Sequence, residues 1–134
     1  MHTHFRSLFQ RAAALVTLLL IAGIIHSQTP RILVFSKTAG FRHTSIEPGQ
    51  AALFKMATTQ GFIVDTTENA GKFTESNLKK YAAVVFLCTT GDVLDNLQQN
   101  AFERYIQAGG GYLGIHSATD TEYNWAWYLS LIHI

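Results

Sequence analysis

The fold follows from one segment, Gly109-Gly110-Gly111-Tyr112-Leu113-Gly114-Ile115-His116-Ser117-Ala118-Thr119-Asp120. Its leading glycines predict the end of a helix, and the short apolar run after them predicts a buried strand. Polar side chains follow at once, beginning with His116. Because ligands of open α/β sheets bind outside the carboxyl ends of the strands, this segment predicts a binding site at that edge.

Three further apolar runs of strand length precede this segment and alternate with helical patterns. The four predicted strands cover residues 31–36, 62–67, 82–87 and 112–115. Ser45 is a predicted helix N-cap, and Asp95 with Gln98 resembles a capping box at a later helix. Strands that alternate with helices predict right-handed βαβ units and a parallel sheet.

Two of the predicted helices carry apolar residues at helical spacing, which predicts the faces that they bury. These residues are Ile46, Leu53, Phe54 and Ala57 in the first helix, and Leu97, Ala101, Phe102, Tyr105 and Ala108 in the later one. Since the predicted strands are apolar almost throughout, we expect helices on both faces of the sheet.

The first 27 residues have the three regions of a secretory signal peptide. Arg6 and Arg11 precede an apolar run over residues 12–25, and Ser27 is a small residue at the expected cleavage point. The alternative is a membrane anchor, but the run is shorter than the roughly 20 residues that a spanning helix needs. We therefore expect an exported protein, periplasmic or secreted, without a stable membrane anchor after cleavage.

Composition favours one small globular domain, because the 134 residues are 48% hydrophobic and 14% charged. Without Arg6 and Arg11 the mature chain has eight basic and nine acidic residues, a net charge of −1. No basic stripe remains, which argues against nucleic acid as a partner. Cys88 is the only cysteine, so no internal disulfide can form, and its place at a strand end favours a buried small hydrophobe.

The C-terminal part of the chain predicts an incomplete domain, because four strands are few for such a sheet. Residues 129–134, Leu-Ser-Leu-Ile-His-Ile, can be read as the translation of a transposon end sequence used in sequencing-library preparation. We expect native domain sequence over residues 30–128 and an adapter-derived tail after it. The alternative for the tail is a short natural strand.

Three spaced segments of the chain resemble the ThuA-like family, which is named for trehalose utilisation. They are Gly40-Phe41-Arg42-His43-Thr44-Ser45-Ile46, Thr89-Thr90-Gly91-Asp92-Val93-Leu94, and residues 109–128. The resemblance extends over residues 31–128. It implies an α/β fold like that of class I glutamine amidotransferases, a parallel sheet with helices on both faces, here truncated after the fourth strand. It also implies a link to carbohydrate metabolism, and it assigns no catalytic residue.

A flavodoxin-like strand order, 2-1-3-4, would bring the loops after strands 1, 3 and 4 to one crevice. Of the six histidines, only His43 and His116 lie in these loops, since the others fall in the signal segment or the tail. Either imidazole could be an acid, a base or a metal ligand, or could only bond to loop backbone. The catalytic residues that we expect are His116, Asp120 and His43.

Other residues of the three loops are candidates for holding a substrate. Those that we expect to do so are Arg42, Thr90, Asp92, Ser117, Tyr123 and Trp127. Asp92 or Asp120 could orient His116 or bind sugar hydroxyls, but either could equally cap a turn. For Lys37 a solvated loop charge is the favoured interpretation.

The last segment holds four aromatic residues, Tyr123, Trp125, Trp127 and Tyr128. They could stack on a sugar ring or pack against the part of the domain that is missing here, and we expect such packing for at least two of them. The histidines and aspartates of the loops lack a tight metal-ligand spacing, so no metal is expected, and no cofactor is assigned.

Gly114-Ile115-His116-Ser117-Ala118 stands where glutamine amidotransferases of this fold carry a G-x-C-x-G nucleophile elbow. His116 replaces the cysteine, which removes the thiolate that glutamine hydrolysis needs. Two function classes remain, because fold alone does not choose between them. One is an enzyme that acts on a sugar derivative by acid–base chemistry at His116, and the other is a non-catalytic carbohydrate-binding module. A small carbohydrate is the expected partner, and the sequence assigns no oligomeric state.

Overall fold

A computed structural model describes residues 28–132 and shows an α/β fold. Its elements, in chain order, are β1 (Arg31–Phe35), α1 (Ile46–Gln60), β2 (Ile63–Thr67), a 3₁₀ turn (Ala70–Lys72), α2 (Glu75–Leu78), β3 (Ala83–Leu87), α3 (Asn96–Gln107), β4 (Gly111–Ile115), a second 3₁₀ turn (His116–Asp120) and α4 (Ala126–Leu131). The predicted signal segment, residues 1–27, lies outside the described residues. Within residues 28–132, no helix has the length and apolar character that crossing a membrane requires.

The four strands form one parallel sheet in the order β2-β1-β3-β4, which confirms the predicted order. Val34 in β1 lies opposite Thr66 on one side and Val85 on the other. β4 pairs with β3 so that Ile115 lies opposite Leu87. The carboxyl ends of β1, β3 and β4 are therefore neighbours, and the loops after them leave the sheet at one edge.

One face of the sheet is covered by α1. The buried residues between them are Val34, Ile46, Ala57, Val64, Val85, Leu87 and Cys88. Leu53 is partly buried against this cluster, whereas Phe54, predicted to be buried, is 46% exposed. The helix packs through a narrow stripe that includes Ile46, Leu53 and Ala57, and Phe54 lies beside that stripe.

The opposite face is covered by α2, α3 and α4 through a mainly aromatic cluster. Its largest buried members are Leu33, Phe35, Phe73, Leu78, Phe86, Phe102, Tyr105 and Tyr128. On the predicted face of α3, Ala101, Phe102 and Tyr105 are buried, whereas Leu97 is 81% exposed and Ala108 is also exposed. Helices thus cover both faces of the sheet, as predicted.

The two predicted helix starts differ in their capping. Asp95 and Gln98 form a complete capping box, in which each side chain accepts a hydrogen bond from the other's backbone N–H, at 2.9 and 3.0 Å. Ser45 precedes α1 but makes no capping bond, because its backbone is already helical, with φ −78° and ψ −5°. Its hydroxyl lies 3.4 Å from the Cys88 sulfur instead.

β4 forms one edge of the described sheet and pairs there with β3 alone. Leu113 is 50% exposed, so the strand that its apolar run predicts to be buried is only partly covered. The boundary expected at Tyr128 falls inside α4, and residues 129–131 are helical rather than the strand considered as an alternative.

Candidate functional site at the carboxyl edge of the sheet

His116 follows β4 directly and has a left-handed backbone, with a φ of 57°. This conformation is costly for a residue other than glycine, and such strain is concentrated at functional sites. The chain turns at once into the 3₁₀ turn His116–Asp120, and His116 is exposed. The imidazole therefore lies at the tip of a strand-to-turn elbow.

The elbow is tight because small residues flank it. A Cβ atom on Gly114 would lie 2.8 Å from the Tyr112 hydroxyl oxygen and 3.1 Å from the Cβ of Ala118. A side chain at position 114 would therefore displace the Tyr112 hydroxyl and press on Ala118, so glycine keeps both in place. Position 118, the second glycine of the amidotransferase pattern, holds one methyl group here.

Tyr128 anchors the elbow to the core. Its hydroxyl donates to the Ala118 carbonyl at 2.8 Å and accepts from the Tyr112 hydroxyl at 2.6 Å. Burial raises the pKa of Tyr112 to about 12 and raises the pKa of Tyr128 as well. Both phenols stay protonated at neutral pH, so each keeps the proton that its hydrogen bond needs.

The structure brings the two candidate histidines together. The ring centroids of His43 and His116 are 4.5 Å apart, with an interplanar angle of 75°. The His43 ring also contacts that of Phe41, at 4.8 Å. Within residues 28–132, no three His, Cys, Asp or Glu side chains are grouped so that they could hold a metal ion. The contact places two potential acid–base groups side by side, since imidazole is the side chain most often used as an acid or a base.

Thr90 ties the loop after β1 to the loop after β3. Its hydroxyl donates to the Phe41 carbonyl at 3.0 Å and accepts from the Gly40 N–H at 3.3 Å. Its carbonyl accepts from the Ala39 N–H at 2.7 Å. Because Thr90 is 1% exposed, this expected substrate-binding hydroxyl is engaged in holding the loops together.

Glu122 is a buried carboxylate, 1% exposed, that links the loops after β3 and β4. It accepts hydrogen bonds from the N–H groups of Val93 and Leu94, each at 2.8 Å, and from the Gln99 amide at 2.6 Å. Lys37 bonds to the Val93 carbonyl at 2.9 Å, so it is not the solvated charge favoured from the sequence. No sequence pattern marks Glu122, because its partners lie far away along the chain.

The two aspartates expected near His116 bond to Tyr123. Asp92 accepts from the Tyr123 N–H at 2.9 Å, and Asp120 accepts from its hydroxyl at 2.5 Å. The bond to Asp120 raises the pKa of the Tyr123 hydroxyl. In the part of the chain that the structure describes, neither carboxylate hydrogen-bonds to His116.

Arg42 is held by two carboxylates, Glu47 at 2.6 Å and Glu68 at 2.8 Å. These bonds raise the pKa of the guanidinium. Because two anions already surround this cation, it offers little net positive charge to an anionic substrate.

Ser117 follows His116 and is 9% exposed. Its hydroxyl oxygen is the single buried side-chain polar atom without a hydrogen-bond partner in residues 28–132. Buried hydroxyls normally find a partner, so Ser117 is an exception next to His116, and its burial keeps the hydroxyl out of reach of a ligand in this arrangement.

Three of the four aromatic residues in the last segment pack within the described residues, and the expectation that at least two pack against a missing part of the domain stays a prediction. Tyr128 is fully buried, and Trp125 and Trp127 stack on each other at 5.1 Å. Both indoles also contact Phe102 of α3 edge-on, at 6.3 and 6.1 Å. Tyr123 is the exception, with 52% of its surface exposed. Trp127, expected to bind substrate, is therefore engaged in packing.

A cleft of about 760 Å³ lies between α2 and α3, near the amino ends of β3 and β4. Its lining includes Glu75, Lys79, Tyr81, Arg104 and Tyr105, and Glu75 and Arg104 form an ion pair within it. This cleft has no imidazole. Ligands of open α/β sheets bind at the carboxyl ends of the strands, so the edge with the two histidines is the better candidate despite the volume of this cleft.

Comparisons with known proteins agree with this fold. The crystal structure of a ThuA-like protein from Bacteroides uniformis ATCC 8492 matches with a TM-score of 0.62 and 25% identity, over 78% of this chain and 44% of that chain. The present chain thus spans less than half the length of that protein. No curated protein matches the sequence. The family model of ThuA, described as trehalose utilisation, matches residues 31–132. The chain therefore belongs to the ThuA family of trehalose utilisation.

Proposed function

We propose that this protein is exported and acts on a sugar or sugar derivative by acid–base chemistry in the crevice around His116. The observation that carries the proposal is the contact of His116 with His43, 4.5 Å between ring centroids, at an exposed and strained strand end. The ThuA family's link to trehalose utilisation supports a carbohydrate ligand. The basic, apolar and small-residue order of residues 1–27 supports export.

In this proposal His116 takes a proton from a sugar hydroxyl or from an acidic C–H group. A neutral imidazole accepts such a proton, and a protonated one returns it. His43 is the second proton-exchanging group, since its ring is in contact with that of His116.

In this proposal the elbow, and not an aspartate, orients the His116 side chain. Asp92 and Asp120 both bond to Tyr123, so they do not orient the imidazole in this arrangement. The left-handed backbone at His116 and the anchor from Tyr128 to Ala118 fix the strand end instead.

Glutamine hydrolysis is not part of the proposal. His116 occupies the place of the nucleophilic cysteine, and Cys88 ends a different strand with 2% of its surface exposed. Incubation with glutamine should release no ammonia above the level of a protein-free blank. Glutamine-dependent ammonia release by the parent protein would contradict this point.

Trehalose is the probe for the enzymatic proposal, with turnover followed by NMR of the sugar. His116→Ala should lower the rate by about 10²–10⁴-fold, the usual contribution of a general base. Its thermal midpoint should stay close to that of the parent, because the side chain is exposed. Phe54→Ala, on the outer side of α1, is the control and should turn over trehalose like the parent. Full turnover by His116→Ala would overturn the proposal.

The second candidate is a carbohydrate-binding module without catalysis. It is favoured by the engagement of both aspartates away from His116, because catalytic histidines are commonly oriented by a carboxylate. A binding module would bind trehalose and leave its NMR spectrum unchanged on long incubation. If His116→Ala also loses that binding, the crevice is still the ligand site, but its function is to bind the sugar and not to convert it.

A further inference from the structure

Phe41 is a large apolar side chain that neither core cluster contains. It is 70% exposed, although the backbone around it is fixed by the hydroxyl and carbonyl of Thr90. Single exposed apolar side chains are common on protein surfaces, and Phe54 of α1 is another example. What distinguishes Phe41 is its contact with the candidate histidine His43.

The Phe41 ring continues the pair of histidines into a row. Phe41 contacts His43 at 4.8 Å with an interplanar angle of 79°, and His43 contacts His116 at 4.5 Å. We call Phe41, His43 and His116 the ring row. Arg42 lies between the first two members in sequence, but its guanidinium is held by Glu47 and Glu68.

We propose that Phe41 is the stacking platform that orients a pyranose ring over His43 and His116. This inference rests on the proposed function and names the residue that recognises the sugar. The C–H groups on one face of a pyranose carry partial positive charge, and an aromatic face carries a negative quadrupole. A sugar stacked on Phe41 would present its hydroxyl groups along the row, toward the two imidazoles.

The chemistry of the site favours a neutral sugar over an anionic one. Arg42, the cation nearest in sequence, is already paired with two carboxylates. Lys37 keeps its charge, and its ammonium donates to the Val93 carbonyl. With Arg42 neutralised, ring stacking and hydrogen bonds to the two imidazoles carry the affinity. This combination suits an uncharged glycoside.

The test is calorimetric titration with trehalose of the parent, Phe41→Leu, Phe41→Trp and Phe54→Ala. Phe41→Leu keeps an apolar side chain but removes the aromatic face, and should raise the dissociation constant about tenfold. Phe41→Trp should bind at least as tightly as the parent. Phe54→Ala removes an exposed phenyl ring from α1 and should change nothing. Thermal midpoints of all four proteins show whether each is folded.

The outcomes separate this inference from the proposed function. If the parent binds trehalose and Phe41→Leu binds it equally well, the platform is wrong and the proposed function stands. If the parent binds no trehalose, the proposed function fails and the platform fails with it. Saturation-transfer NMR of the parent gives a second check, since stacking predicts stronger transfer to the C–H groups on one face of the sugar. Equal transfer to both faces would overturn the platform.

Discussion

Three non-glycine residues of the described chain, Cys88, His116 and Glu122, have a positive φ, and all three lie at the carboxyl edge of the sheet. Cys88 follows β3 as His116 follows β4, and its N–H donates to the Ile115 carbonyl at 3.1 Å. Glu122 is held by three hydrogen bonds to its carboxylate. Three residues keep such strained backbones only where contacts with their neighbours hold each of them in place. The edge is therefore built as a rigid frame around His116.

Tyr128 provides the test of this frame at the residue scale. Tyr128→Phe removes the bond to the Ala118 carbonyl and leaves the Tyr112 hydroxyl without its acceptor. Loss of a buried hydrogen bond should lower the free energy of unfolding by about 1–3 kcal/mol, measured by urea denaturation.

Tyr123→Phe is the matched control for that measurement. The hydroxyl of Tyr123 is exposed and bonds to Asp120 at the surface, so its removal should change stability by no more than about 0.5 kcal/mol. Equal effects of the two substitutions would show that Tyr128 does not anchor the elbow.

At the scale of elements, most features that a few consecutive residues encode were predicted correctly, although Ser45 precedes α1 without the capping bond that its type predicts. The capping box needs only Asp95 and Gln98, and the strands need only their apolar runs. The exposure of Phe54 and Leu97 was not predicted, because burial depends on how each helix is rotated against the sheet. Periodicity gives the apolar side of a helix but not the width of its contact.

The same distinction applies to the candidate site. His43 and His116 were identified because both follow a strand, and the topology brings strand ends together. The roles of Glu122 and Tyr128 depend on partners that only the folded chain brings near them, such as Val93 and Ala118. The neighbours of Asp92 likewise could not be read from the sequence.

β4 leads to a prediction about association. An edge strand presents unpaired backbone groups, and Leu113 adds a half-exposed apolar side chain there. Leu113→Lys should reduce self-association at high protein concentration, measured by light scattering, because a charge on an edge strand opposes pairing with another chain. Leu97→Lys, at an exposed position on α3, is the control and should have the smaller effect. Equal effects of the two substitutions would show that the added charge alone, and not its place on the edge strand, reduces self-association.

At the scale of the whole molecule, the buried tyrosines make the fold sensitive to alkali. Burial raises the pKa of Tyr112 from 10.0 to about 12, so the unfolded chain loses this proton at lower pH than the folded chain. The contribution of protonated Tyr112 to the free energy of unfolding is complete below about pH 10 and is lost as pH rises toward about 12. Within that window the free energy of unfolding should fall by about 1.4 kcal/mol per pH unit for this group.

Thermal midpoints across that window test the alkaline prediction. The parent should lose stability more steeply than Tyr112→Phe, which has no proton to lose at this position. A decline of the same slope in both proteins would contradict the assignment to Tyr112.

NMR of the histidine ring resonances during a trehalose titration tests most directly whether His43 and His116 together form the ligand site. His43→Gln and His116→Gln assign the two signals, and any other histidine signals of the protein serve as internal controls. The signals of His43 and His116 should shift together as trehalose is added, while the other histidine signals stay in place. Unchanged signals from both residues at saturating trehalose, or shifts confined to other histidines, would contradict it.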